Sequence, residues 1–481
     1  MKKLFISLLL FLTTTTTFAQ KIQWGPINEV EEKIFNTNLG VSGEYIGDVS
    51  GFQYYIYHHP KNQFIINEEI VFSIIKVQNN QVIQSTEFFD KKYNLLKIKL
   101  INNKITVLHI DDSDNQIHSV KIDIYDPNSL LFEKSSILYS YKVISDNNTF
   151  YKIVFSEDNS KFAILTPSIN PENENGSLFF KVFDIQLNGL FEYHYTILFK
   201  GENTLGDFKI SNDGIVYFNI NNFESGDEGD IFKNIYFYKL SADDFRIIKH
   251  NIENDLNFQD MQYISGINDK GDVRFLISDK EKITFYNLDF TTEEIGEGIT
   301  FDIPNGNWSI DKFHSFSNGN SVLILADRGI TFYSSQSGQC YVFWNRNFLV
   351  FNFNESGNEI IKQETIYRHF VDYERFKSVE ENLKSSLFFI PTEHSISFLY
   401  NTNPKVNKDN SSTFYDRIGT SKPITKICTI SEDGDITNSV VFDSEQEQGV
   451  FIPSFSFISS DSSLNICKSL KKKIIFGKLT F

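Results

Sequence analysis

The sequence predicts an all-β fold, a β-propeller of eight four-stranded blades, from three observations. An apolar strand, a tight polar turn and a second, strongly apolar strand recur along the chain. A further polar turn and a closing strand follow most copies. The last copy is one strand short, while the start of the chain has a strand to spare. One position per first turn gives 50, 103, 158, 213, 269, 319, 392 and 461. The first six copies therefore lie 50 to 56 residues apart, and the last two steps are 73 and 69. Unrelated hairpins do not keep such a period, which marks a repeat architecture.

The chain opens with Lys2 and Lys3, the apolar run Leu4 to Leu12, five threonines and Phe18-Ala19-Gln20. A short basic head, an apolar stretch too short for a bilayer and small residues at Thr17 and Ala19 describe a signal peptide, residues 1–19. Residues 20–481 are then a single propeller domain, exported to the periplasm, the cell surface or the medium. No later run has the length and apolarity of a membrane helix.

The repeats follow in order. The clearest first phrase is KIVFSEDNSKFAIL, turning at Asp158-Asn159. Others turn at Asp213-Gly214, Asp269 to Gly271 and Asn318 to Asn320, and weaker ones near Ser50-Gly51, Asn102-Asn103, Thr392-Glu393 and Asp461-Ser462. Asp, Asn, Ser and Gly suit these turns because they tolerate positive φ or bond their own backbone. The second phrase appears in VFSIIKVQNNQVIQSTEFF, in IYFYKLSADDFRIIKHNI and in five further copies. Each unit thus reads as four antiparallel strands, a to d. The final unit ends after LNICKSL and KKIIFGKLTF, and KIQWGPINEV at the mature N-terminus supplies its missing strand. Closure of this kind removes an edge that would template aggregation, and it favours eight blades over seven. A pair of β-sandwiches is the competing architecture. One helix is expected, over Val371 to Lys384, where Phe376, Val379 and Leu383 fall at helical spacing.

The phrase FSEDNSKFAIL resembles the turn signature of bacterial propeller repeats of the TolB and WD40-like class. Phe155, Ser156, Asp158, Lys161 and Phe162 match it, while Glu157 stands in place of the Pro and Asn159 in place of the Gly. The resemblance implies a fold over most of the mature chain. It implies no catalytic residues and no function.

Composition narrows the function classes. The 48 phenylalanines and 22 tyrosines suit pleated, half-buried surfaces. The formal charge of −17 becomes −19 once Lys2 and Lys3 leave with the signal peptide. Such a surface repels phosphate backbones and anionic lipid, which disfavours nucleic-acid and unaided membrane binding. Three cysteines, Cys340, Cys428 and Cys467, exclude a disulfide-built scaffold. A Cys428–Cys467 bridge is conceivable, but buried free thiols are the ordinary outcome.

The b–c and d–a loops of a propeller share one face, and variable loops on a rigid scaffold are where binding resides. Three neighbouring b–c loops are acidic: Asp111, Asp112 and Asp114 in the second blade, Glu172 and Glu174 in the third, and Glu224, Asp227, Glu228 and Asp230 in the fourth. The sixth blade carries an extra hairpin, Arg328 to Arg346, with Tyr341, Phe343 and Trp344 among its aromatics. Aromatic residues anchor interfaces. The plain alternative is that the loops are merely solvated and the aromatics pack on their own blade. No cofactor is expected. Calcium at Asp111, Asp112 and Asp114 is the exception considered, although the run lacks the Gly and distal Glu of an EF-hand loop.

There is no GxSxG elbow, P-loop, HExxH or Rossmann glycine pattern. His58 and His59 are adjacent, so on a strand they take opposite faces. His109, His194 and His394 read as packed or edge residues. The leading expectation is a non-enzymatic envelope or secreted protein that binds a protein or glycan. The alternative is a glycan- or peptide-processing hydrolase or lyase with its site at the channel mouth.

Overall fold

The computed structural model describes residues 21–26, 28–29, 42–60, 70–88, 94–114, 117–142, 151–156, 158–170, 175–198, 202–226, 229–257, 262–267, 273–278, 281–335, 338–357, 359–368, 370–374, 387–404, 423–447, 449–452, 456–458, 463–470 and 473–480. Its strands form eight separate antiparallel sheets, each a blade with order a-b-c-d. Blades 1 to 7 span 42–88, 94–142, 152–198, 202–257, 262–302, 308–374 and 387–443. Blade 8 joins 450–480 to the N-terminal segment 21–29. Strand a of each of blades 1 to 5 touches strand a of the blade that follows it, as innermost strands around a channel must.

Turn chemistry explains the hairpins. Ser50 and Gly51, Asn79 and Asn80, and Asn102 and Asn103 are adjacent pairs with positive φ, the conformation whose twist matches that of two-residue hairpins. In the FSEDNSKFAIL turn, Ser156 Oγ donates to Asp158 Oδ1 (2.7 Å), which also accepts from Ser160 N (2.9 Å). Lys161 N donates to Ser156 Oγ (3.0 Å). These bonds hold Asn159 at a φ of 57°.

The core lies between the blades. Eight apolar clusters occur, one at each interface around the ring. Strand b of blade 6 shows how period-two alternation feeds two of them. Leu323 and Leu325 pack toward blade 5, while Val322, Ile324 and Ala326 pack toward blade 7. A strand buried on both faces reads as a continuous apolar run, which is why SVLILA and KFAIL are so hydrophobic.

The face carrying the a–b and c–d turns is stitched from blade to blade. Lys76 Nζ of blade 1 donates to Asn128 O of blade 2 (3.0 Å), and Lys99 of blade 2 to the Asn159 side chain of blade 3. Asp158 N of blade 3 donates to Asn212 Oδ1 of blade 4 (3.1 Å). Arg246 of blade 4 reaches Phe290 O of blade 5. Arg274 of blade 5 reaches Gly319 O and, at 2.6 Å, Glu355 O, in both turns of blade 6. Asn320 Nδ2 of blade 6 donates to Glu432 O of blade 7 (2.9 Å). In each case the earlier blade supplies the donor, and the acceptor is in a turn of the next blade.

The last blade closes as the spare strand requires. Lys21–Trp24 pairs antiparallel with Lys473–Thr480, with Trp24 opposite Gly477. A Cβ at Gly477 would sit 2.6 Å from the Trp24 ring, so glycine lets the indole lie against the strand. Trp24 also meets Phe442 of blade 7 edge-on at 5.8 Å, and Lys468 Nζ lies 4.0 Å from its ring centroid.

Phe370–Glu374 is a strand, paired with Tyr341 to Asn345 of the blade 6 hairpin, so the helix proposed from Val371 does not begin there. Phe, Val and Tyr favour strands, and the hairpin edge offers unpaired backbone groups that outweigh a weak helical period. The rest of that segment, 375–384, lies outside the described residues. Cys428 and Cys467 are free thiols. Cys428 packs between blades 6 and 7 and Cys467 between blades 8 and 1, so the bridge considered for them does not form.

Candidate functional site

Among the described residues, the opposite face, where strands b and c turn, departs furthest from the common blade at blade 6. Its strands b and c, Ser321–Ser335 and Gly338–Phe353, are 15 and 16 residues long, against 8 or 9 in the corresponding strands of blades 1 and 2. They run on past the blade from Arg328 opposite Asn345 to Ser335 opposite Gly338. With Phe370–Glu374 added, the extension is a three-stranded arm. The predicted hairpin from Arg328 to Arg346 is this arm. Tyr341, Phe343 and Trp344 lie on its middle strand, opposite Phe332, Ile330 and Gly329.

The arm begins at a bulge. Ala326 pairs with Phe348 and Arg328 with Asn345, so Asp327 alone faces both Arg346 and Asn347. On its other side Asp327 pairs with Trp308 of strand a. A bulge re-aims the side chains around it, and here it gathers them at a cavity of about 480 Å³. The Pro304 to Trp308 loop forms one wall. Asp327, Arg346, Asn347 and Thr365 form the other. Local bonds hold the loop: Trp308 Nε1 donates to Pro304 O (2.7 Å), Arg328 N to Asn307 O (3.0 Å), and Asn307 N to Asp327 Oδ1 (3.3 Å).

Two charge pairs lie at the bulge. Next to Asp327 in sequence, Arg328 Nη2 meets Asp311 Oδ2 at 2.7 Å, with both side chains buried. In the cavity wall Asp327 is 8 % exposed, and Arg346 Nη1 lies 4.0 Å from its Oδ2. Burial raises the Asp327 carboxyl above its ordinary range, against the opposing pull of Arg346 and of the Asn307 amide.

The acidic positions distribute as follows. Asp111 ends strand b of blade 2 and is paired with Lys121. Lys121 and Ser113 hold its carboxyl well below the usual range. Asp112 and Asp114 are exposed in the turn that follows, and Asp114 Oδ1 accepts from Ile117 N (3.2 Å). A calcium ion there would have to displace the Lys121 ammonium from Asp111. Glu224 is exposed near the end of strand b of blade 4, and Asp230 is the second residue of strand c, paired with Ser225. Glu172, Glu174, Asp227 and Glu228 lie outside the described residues. Among the described residues no group of three or more His, Cys, Asp or Glu side chains is placed to hold a metal ion.

Four of the histidines sit on strands or turns as follows. His58 and His59 are successive residues of strand b in blade 1, opposite Phe72 and Val71. His109 is buried in blade 2, its Nε2 3.2 Å from Asp123 Oδ2, and burial lowers its pKa although Asp123 pulls the other way. His394 lies in the a–b turn of blade 7, 3.1 Å from Glu432. Sequence reasoning missed Asp327, Trp308 and Asn307. The trace it left is the LADRG phrase, in which Asp327 and Arg328 end the apolar run of strand b.

No family model and no curated protein matches the chain. Solved structures of similar shape include the Dos1 propeller, at 10% identity over 94% of this chain and 95% of that one, with a TM-score of 0.43. An apocarotenoid oxygenase variant of Synechocystis matches at 10% identity over 88% and 92%, TM-score 0.40. Prolyl oligopeptidase B of Galerina marginata matches at 12% identity over 91% of this chain but 56% of its own, TM-score 0.40. Likeness at this level concerns fold alone.

Proposed function

We propose that this chain is an exported binding protein that holds a protein or glycan partner on the b–c face of its propeller. The observation that carries the reading is the asymmetry between the two faces. On one face, turn carbonyls and turn asparagine side chains accept bonds from the preceding blade at the successive interfaces from blade 1 to blade 7. The other face bears the arm and the cavity at its base. A rigid ring that carries an elaborated segment on its loop face is how loop-borne binding sites are held. The arm aromatics Tyr341, Phe343 and Trp344, and the acidic positions Asp112, Asp114, Glu224 and Asp230 with Asp227, Glu228, Glu172 and Glu174, are the contacts assigned to the partner.

Export rests on the leader, residues 1–19. The Ser156–Asp158–Ser160 bonding supports assignment to the TolB and WD40-like repeat class. The enzymatic alternative draws on Asp327, because a carboxyl raised by burial in a cavity is a candidate acid. Glycoside hydrolysis ordinarily uses two carboxyl groups, and among the described residues Asp327 is the one carboxyl lining the cavity, so binding is the better reading.

The test is partner capture from the native envelope and medium. The wild type is compared with a variant whose arm, residues 329–344, is replaced by a two-residue turn, and with Asp227→Lys/Glu228→Lys/Asp230→Lys. Folding of each is checked by circular dichroism. The wild type should retain a partner that the armless variant loses and the charge-reversed variant holds less well. Equal capture by all three would sink the assignment.

A further inference from the structure

We propose that the cavity at the base of the blade 6 arm is a binding site for a neutral saccharide. This deepens the b–c-face reading, and rests on it, by naming a ligand class. Its volume, about 480 Å³, falls in the range of small-molecule sites and suits one or two sugar rings. Four of the nine lining residues carry an amide or a hydroxyl: Asn305, Asn307, Asn347 and Thr365. Amides both donate and accept, as sugar hydroxyls do. The two charges cancel, since Asp327 and Arg346 carry opposite signs 4.0 Å apart. That separation exceeds a hydrogen bond, so a hydroxyl entering between them could donate to the carboxylate and accept from the guanidinium. Trp308 also lines the cavity and adds an aromatic surface, steadied by its bond to Pro304 O. The carboxylate is held by the bulge and the Asn307 amide rather than by the ligand, so the polar groups are placed before binding, which lowers the ordering cost.

Other ligand classes fit less well. An anion would meet the Asp327 carboxylate and a chain of net charge −17. An apolar ligand would strip water from four polar side chains without replacing their hydrogen bonds. A hard cation needs six or more oxygens, and the Arg346 guanidinium stands against it. A purely structural role for Asp327 accounts poorly for a buried carboxylate whose partners lie at 3.3 and 4.0 Å.

The experiment is calorimetric titration of the purified mature chain. The probes are glucose, galactose, mannose, N-acetylglucosamine and their β-linked disaccharides, with glucuronic acid as the anionic control. At least one neutral sugar should bind saturably. Asp327→Asn and Asn305→Ala should each weaken it by about tenfold or more, the scale of losing one charged or well-made hydrogen bond. Glucuronic acid should bind more weakly than glucose. Asn305 is exposed, so its variant decides the matter should Asp327→Asn fail to fold. No saturation by any neutral sugar up to about 10 mM, or unchanged affinity in Asn305→Ala, overturns the proposal. The armless variant separates this from the wider reading. Partner capture that depends on the arm without sugar binding refutes the cavity and leaves the face. Sugar binding without arm-dependent capture upholds the cavity and refutes the arm's role.

Discussion

At the scale of single residues, Asp327 is where the molecule gives up stability. Its carboxyl is raised from 3.8 by burial, with Arg346 and the Asn307 amide offsetting part of that rise. A raised acid pKa means the native state binds the proton more tightly than the unfolded chain does. Stability is then undiminished below the unfolded pKa, falls as pH rises through the interval to the folded pKa, and stays lower above it. Asp327→Asn removes the titration. The variant should therefore match the wild type below about pH 3 and exceed it in thermal stability at pH 7, while losing sugar affinity. Melting curves of both proteins across pH test this; a variant less stable than the wild type at pH 7 would make Asp327 a structural residue. Gain of stability with loss of function is the usual mark of a binding or catalytic position. Little in the sequence announces it, because Asp327 matters through a one-residue register shift, and register is a property of two strands at once.

At the scale of elements, the strands and their turns were legible and the arm was only half so. Ser50-Gly51, Asn102-Asn103 and Asp158-Asn159 turn where their residue types require, because positive φ is a local demand that Gly and Asn meet cheaply. The extra hairpin of blade 6 also showed in the aromatic run between Arg328 and Arg346. Its third strand did not. Phe370–Glu374 reads as the start of an amphipathic helix until the edge at Tyr341 to Asn345 is present to pair with it. The blade-to-blade stitching was likewise hidden, since Arg274 looks like any charged residue in a strand, yet it is 5 % exposed and bonds two turns of blade 6. Arg274→Ala should cost about 3 kcal/mol, the range for charged hydrogen bonds lost to buried acceptors. Denaturant melts should show it, and Arg274→Lys should recover part of the loss. A change under about 0.5 kcal/mol, typical of a surface substitution, would mean that the stitching contributes little.

At the scale of the whole molecule, stability depends on the ring being closed. Eight interfaces each hold one apolar cluster, and a ring with one blade incomplete would expose both an edge and part of two clusters. The N-terminal strand covers the terminal strand from Lys473 to Thr480, and its Ile22 and Trp24 pack on the cluster shared by blades 7 and 8. Removing residues 20–26 should destabilise the fold by about 3 kcal/mol or more, the scale of truncating a large aromatic. It should also make the protein self-associate, because a bare strand edge recruits other strands. The synthetic peptide KIQWGPINEV, supplied in trans, should add itself as a strand and restore both the melting temperature and the monomer, as donor strands do elsewhere. A peptide with Trp24→Ser should restore less. Sedimentation and melting experiments decide it. If the truncated chain is as stable and as monomeric as the full one, the closing strand is an ornament on a ring that holds together through its other interfaces.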